Sequence, residues 1–169
     1  QSVFDLDSVE LQQLRRRMGV VMRGGVLIDN MDIRRNIALP LVYHEGSSLD
    51  MAAIDERCQR TAAALGIEHL LMPGLRPVAL NREERILAAL ARAWVSAPDL
   101  LLADDPISGL GEASAARLVR HLAAAPMGLQ QVTRLVSTSR LKMFLNVADR
   151  FLLVEDGALI ELGDRASIQ

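Results

Sequence analysis

Four apolar residues, Leu100-Leu101-Leu102-Ala103, run straight into Asp104-Asp105-Pro106, and this stretch most restricts what the chain can fold into. A continuous aliphatic run without polar alternation suits a buried strand of a parallel sheet, and the proline beyond it cannot extend the ladder. Carboxylates at a strand tip have chemical uses. Asp104 can hold a hydrated divalent cation, and Asp105 beside it can polarise an attacking water. The plainer reading is a buried strand that ends in an Asp-Pro turn. The rest of the chain has to decide between them.

The chain has 169 residues, enough for one domain with a sizeable core. Half of it is hydrophobic but only 3% is aromatic, so the core must be aliphatic. The net charge of −2 lacks the basic excess of a nucleic-acid binder, and no nucleic-acid partner is expected. Cys58 is the only cysteine, which excludes an internal disulfide and fits a reducing compartment. No apolar run approaches the ~20 residues that span a bilayer. The opening residues lack a signal-peptide pattern, and with no initiator Met the chain is expected to begin inside a longer protein.

Strand and helix patterns alternate. A helix is expected over Val9–Arg17 with Ser8 as its cap, then a short strand at Met18–Met22 closed by Gly24-Gly25. Asp32–Leu39 reads as a turn or two of helix stopped by Pro40, and His44–Ser48 as a polar loop. Asp50–Leu65 has an apolar face of Ala53, Ile54, Cys58, Ala62 and Leu65, with Gly66 as C-cap. A long helix follows at Arg82–Ser96, a strand at Leu100–Ala103, and a helix at Glu112–Ala125 closed by Pro126. Val132–Ser137 reads as a strand and Leu141–Asn146 as a short helix. Phe151–Val154 and Ala158–Leu162 pair across Asp156-Gly157 as a hairpin. The implied class is α/β, with a helical lobe inserted at about Leu41–Pro77.

In this order the segments resemble the nucleotide-binding domain of ATP-binding-cassette (ABC) transporters, over essentially the whole chain. Leu100–Pro106 with Ile107-Ser108-Gly109-Leu110 is similar to the Walker B strand and D-loop. Ala91-Arg92-Ala93 and Ala97-Pro98-Asp99 resemble the stretch from the signature helix to Walker B. Ala148-Asp149-Arg150-Phe151, Glu155-Asp156-Gly157 and Glu161-Leu162-Gly163 resemble the closing strands, and Arg15–Val21 the entry to the Q-loop. Gly25–Met31 and Asn36–Leu41 look most like the ATPases of MCE/Mla-type lipid-trafficking systems.

The resemblance implies an incomplete P-loop NTPase (RecA-like, ABC-type) with a parallel-sheet core. Residues 1–40 would form its Q-loop part, 41–92 the helical lobe and a degenerate signature helix, and 93–169 the Walker B, D-loop and switch part. It implies ATP and Mg²⁺ as family cofactors, with Asp104 as the Mg²⁺ and nucleotide contact and Asp105 at the catalytic glutamate position. It also implies a membrane permease as partner, a homodimer or a heterodimer with another ABC ATPase, and a cytoplasmic place at the inner face of the bacterial membrane.

Several family positions carry other chemistry. The phosphate loop G-x-x-x-x-G-K-[ST] is absent and would be expected upstream of Gln1. The Q-loop glutamine falls on Arg23, which has only donors and cannot ligate a cation. The signature L-S-G-G-Q falls on Leu80-Asn81-Arg82-Glu83-Glu84, which puts carboxylates where an anion would sit. There Asn81 reads as a helix cap, with Glu83 and Glu84 in the first turn. The switch histidine falls on Ser139 and the D-loop aspartate on Gly111.

These replacements predict impaired ATP binding and hydrolysis in a subunit that docks on a permease for a lipid or other hydrophobic substrate. The alternatives are a regulatory or scaffolding module on the same fold, and an active ATPase completed by an upstream phosphate loop. Docking would use a groove around Arg23–Leu41 with Val26, Leu27, Ile28, Ile37 and Leu39. His44, His69 and His121 lack ligand spacing, and Cys58 reads as core. Without a Walker A strand, unpaired strand edges should drive self-association, strand exchange or fill-in by the N-terminal segment.

Overall fold

The computed structural model describes residues 2–45, 50–124 and 132–167. Its sheet is built around the aliphatic run. Strand β2, Leu100–Asp104, lies between β1, Met18–Val21, and β3, Thr133–Ser137, and pairs parallel with both. The register sets Val21 beside Ala103, and Ala103 beside Val136. Leu101 and Ala103 are buried, whereas Leu100 and Leu102 are half-buried, so only one face of the run is fully covered.

Helix α4, Arg82–Trp94, packs against β1 and carries eight buried residues from Ile86 to Trp94. Asn81 caps it: its side chain accepts from Glu84 N–H, and the Glu84 carboxylate accepts from Asn81 N–H. Packing is close enough that a Cβ at Gly19 would stand 2.5 Å from the Ala93 carbonyl oxygen. Helices α2, Ile33–Glu45, and α3, Met51–Leu65, pack against the far side of α4. All four elements share one core cluster that includes Val21, Ile37, Cys58 and Trp94. Cys58 is thus core, and burial together with Asp55 pushes its thiol up to about 11. The boundaries expected near residues 40 and 92 fall within α2 and α4.

Helix α1 spans Ser8–Arg16 and α5 spans Glu112–Ala123. The last strands, β4 at Arg150–Glu155 and β5 at Ala158–Asp164, form an antiparallel hairpin in a sheet of their own. The turn residues Asp156 and Gly157 both have positive φ, 48° and 77°, as a tight hairpin requires.

Several local expectations are corrected. Pro40 does not stop α2, which continues to Glu45 and includes His44. The missing N–H and ring clash cost about 3 kcal/mol, but burial of Ile33, Ile37, Ala38 and Leu41 outweighs them. The cap of α1 is Asp7, not Ser8, because Asp7 accepts from both Val9 and Glu10 N–H. The helix expected at Leu141–Asn146 is a single 3-10 turn, Leu141–Met143. Ile37 is fully buried, so it belongs to the core and not to a docking groove. The N-terminal segment adds no strand to the sheet: Val3–Asp5 is a 3-10 turn, and α1 lies against β1. Gly46–Ser48 and Pro126, expected as loop and helix stop, lie outside the described residues. No helix among the described residues is long and apolar enough to cross a membrane.

Candidate functional site at the strand tips

The C-terminal tips of the three parallel strands converge on Asp104 and Asp105. The register sets Asp104 beside Ser137 at the end of β3. The Ser137 hydroxyl donates to Asp104 Oδ1 at 2.7 Å and accepts from Asp105 N–H at 3.0 Å. Asp104 remains exposed, while Asp105 is 5% exposed. The chain turns sharply at Asp105, whose φ of 39° lies in the left-handed region. For a non-glycine residue this costs on the order of 1 kcal/mol, less for aspartate than for most, and such strain gathers at functional sites.

The loop after β1 delivers Arg23 to this tip. Its Nη2 lies 3.1 Å from Asp105 Oδ2, an ion pair between a largely exposed guanidinium and a buried carboxylate. Two anchors fix the loop. Fully buried Asn36 on α2 accepts from Ile28 N–H and donates to the carbonyls of Ile28, Met31 and Asp32. Arg92 on α4 donates to the Val26 carbonyl at 2.6 Å. Gly25 must be glycine here: its φ is 69°, and a Cβ would meet the Arg85 carbonyl at 2.6 Å.

Two more arginines grip the segment after Asp105. Arg82 Nε donates to the Ser108 carbonyl at 2.9 Å. Arg140 donates to the Leu110 carbonyl at 3.0 Å and, more loosely, to that of Ile107 at 3.4 Å. Glu83 pairs with Arg117 on α5 at 3.3 Å and accepts from the Ser114 hydroxyl. Its charge is therefore balanced within the chain. His121 on the same helix has its pKa lowered by burial, then by Arg120 and Arg117, with Glu83 opposing.

Of the residues singled out from sequence, Asp104, Asp105 and Arg23 come together at one tip. Asn81, Arg82 and Glu83 stand at the start of α4, with Arg82 reaching towards that tip's following segment. Ser139 is exposed two residues past β3, and the hydroxyl that reaches Asp104 belongs to Ser137. Ser137 and Arg140 escaped the sequence reading because the parallel register and an arginine's reach of several ångströms leave no trace in spacing.

A hard dication does not fit this tip as it stands. Arg23 takes Asp105 Oδ2, and Ser137 takes Asp104 Oδ1. At ~4 Å, unit charges interact by about 4 kcal/mol at a surface-like dielectric, so a dication beside the guanidinium would meet roughly twice that in repulsion. Among the described residues no group of three or more His, Cys, Asp or Glu is placed to hold a metal ion.

Comparison with known proteins gives the arrangement a context. No family model matches the chain. It is 27% identical over 168 residues to the methionine import ATP-binding protein MetN of Bordetella pertussis, covering 99% of this chain and 45% of that protein. It is 28% identical over 163 residues to MetN of Xanthomonas campestris pv. campestris, covering 96% and 47%. The chain thus spans about half the length of the curated relatives it matches. Among solved structures, cbiO1 of Clostridium perfringens, part of the ABC transporter complex cbiONQ, superposes with a TM-score of 0.81 at 20% identity, covering 97% of this chain and 63% of that one. The ATP-binding cassette MJ0796, solved as a dimer in a post-hydrolysis state with ADP and Pi, superposes with a TM-score of 0.77 at 22% identity, covering 94% and 68%.

Proposed function

We propose that this chain, similar in sequence to MetN ATP-binding proteins and in fold to ABC cassettes, serves as a transporter ATP-binding-type subunit with impaired ATP hydrolysis, docking on a membrane permease at the cytoplasmic face. The observation that carries this reading is the pairing of Arg23 with Asp105. Phosphoryl transfer depends on positioned cations and phosphate-cradling donors. Here the carboxylate at the catalytic position is neutralised from within, and arginines at the signature and switch ends of the site are spent on backbone carbonyls.

The helical side remains open to a partner. A groove of about 460 Å³ runs between α2 and α3, lined by Ala38, Leu39, Val42, Met51 and Ile54, with Arg34 and Asp55 at its edge. Val42 and Met51 are exposed, as an apolar contact for a permease helix requires. A homodimer or a heterodimer with an intact ABC ATPase would complete the subunit, as the dimeric MJ0796 cassette illustrates for that protein.

The cargo is proposed as a lipid or other hydrophobic substrate, from the stretches Gly25–Met31 and Asn36–Leu41. Methionine is the second candidate, because the relatives are named for its import. Affinity capture from bacterial membranes tests docking. The wild-type chain should retain one permease, and Val42→Asp should lose it by about tenfold while keeping its thermal midpoint. Equal capture by both would overturn the docking surface, and the permease recovered decides between the cargoes.

A further inference from the structure

The loop carrying Arg23 is built rather than trailing. Asn36, Arg92 and the close approach at Gly25 all hold it where its guanidinium meets Asp105. The acceptor is equally built. Asp105 is 5% exposed and held in left-handed backbone, with Oδ2 on Arg23. Its Oδ1 is buried without a hydrogen-bond partner among the described residues. Exposed Asp104 stands next to it, one oxygen engaged by Ser137.

Carboxylate oxygens of this kind attract a hard divalent cation. A guanidinium has donors only, so it and a metal ion compete for the same oxygens. We propose that Arg23 is a built-in cation: its side chain occupies the place a divalent metal would take and bars metal from the Asp104–Asp105 tip. Removing the guanidinium converts the tip into a divalent-cation site with Asp104 and Asp105 as oxygen donors. This holds whether or not a permease docks, since the tip and the α2–α3 groove share none of these residues.

Mn²⁺ is the probe, followed by electron paramagnetic resonance on the full chain. Arg23→Gln should bind one Mn²⁺ at least ~10-fold more tightly than wild type, because the repulsion is gone. Arg23→Lys, which keeps a positive charge, should behave as wild type, and Arg23→Gln with Asp105→Asn should lose the gain. Equal affinity of wild type and Arg23→Gln would overturn the proposal, as would a gain by Arg23→Lys matching that of Arg23→Gln. The unaltered protein gives a second readout that needs no variant to fold. Its Asp104, Asp105 and Ser137 amide resonances should stay sharp in Mn²⁺ at concentrations that broaden exposed carboxylates elsewhere. Selective broadening of those three would also overturn it.

Discussion

The helical side of the molecule and its strand tips obey different rules. Around α4 the side chains are apolar and close-packed, and Trp94, Ile37 and Leu90 are fully buried. At the tips, charged side chains satisfy one another: Arg23 with Asp105, Arg117 with Glu83, Arg82 and Arg140 with backbone carbonyls. Burial alone can hold the first region, since aliphatic packing tolerates change if volume and pattern are kept. The second region holds Arg23, Glu83 and Ser139, where residue types depart from those the family resemblance implies. The contrast teaches that one fold can be held by apolar packing on one side and by paired polar loops on the other.

The largest effect should come from the packed side. Trp94→Ala removes a fully buried ring and should cost about 3–5 kcal/mol in denaturant unfolding. Leu159→Ala, on the exposed hairpin, should stay within about 0.5 kcal/mol. Similar losses at both positions would erase the contrast. Next comes the joint between the regions. Asn36→Ala leaves the Ile28 N–H and the Met31 carbonyl without this partner, takes one of two donors from the Ile28 and Asp32 carbonyls, and should cost about 2–3 kcal/mol. The same variant should speed amide exchange across residues 23–31. A loss confined to α2 would show that the loop holds itself.

The start of α4 comes third: Asn81→Ala removes its cap and should cost about 1 kcal/mol. The smallest effect concerns acid. Burial holds the His121 pKa below its usual 6.5 in the folded chain, so the unfolded chain takes up the proton first. Stability should therefore fall as pH drops below 6.5, and His121→Gln should flatten that slope. An unchanged slope would remove His121 from the account.

Much of the packed side was legible in the sequence. Periodicity located α3 and α4, Asn81 announced a cap, and the Leu100–Ala103 run announced the central strand. Pro40 misled because a local rule met a buried helix face, and tertiary burial won. The tips were legible only as residue types in family positions. Arg23 was visible as a residue unable to bind a cation, but its meeting with Asp105 depends on a loop folded by Asn36, far from either in local pattern. Ser137 and Arg140 depend on strand register and reach in the same way. The edges of the sheet were also foreseen: among the described residues β1 and β3 pair only with β2, and Leu135 on β3 is 56% exposed.

Phosphate release from ATP with Mg²⁺ tests the central claim, that Arg23 holds Asp105 in an internal ion pair and the strand tip does not run nucleotide hydrolysis. The wild-type protein, assayed with its permease and any partner ATPase, should show the same rate when Asp105 is changed to Asn. A Mg²⁺-dependent rate that collapses with Asp105→Asn would contradict it, because Asp105 would then be serving an attacking water and not Arg23.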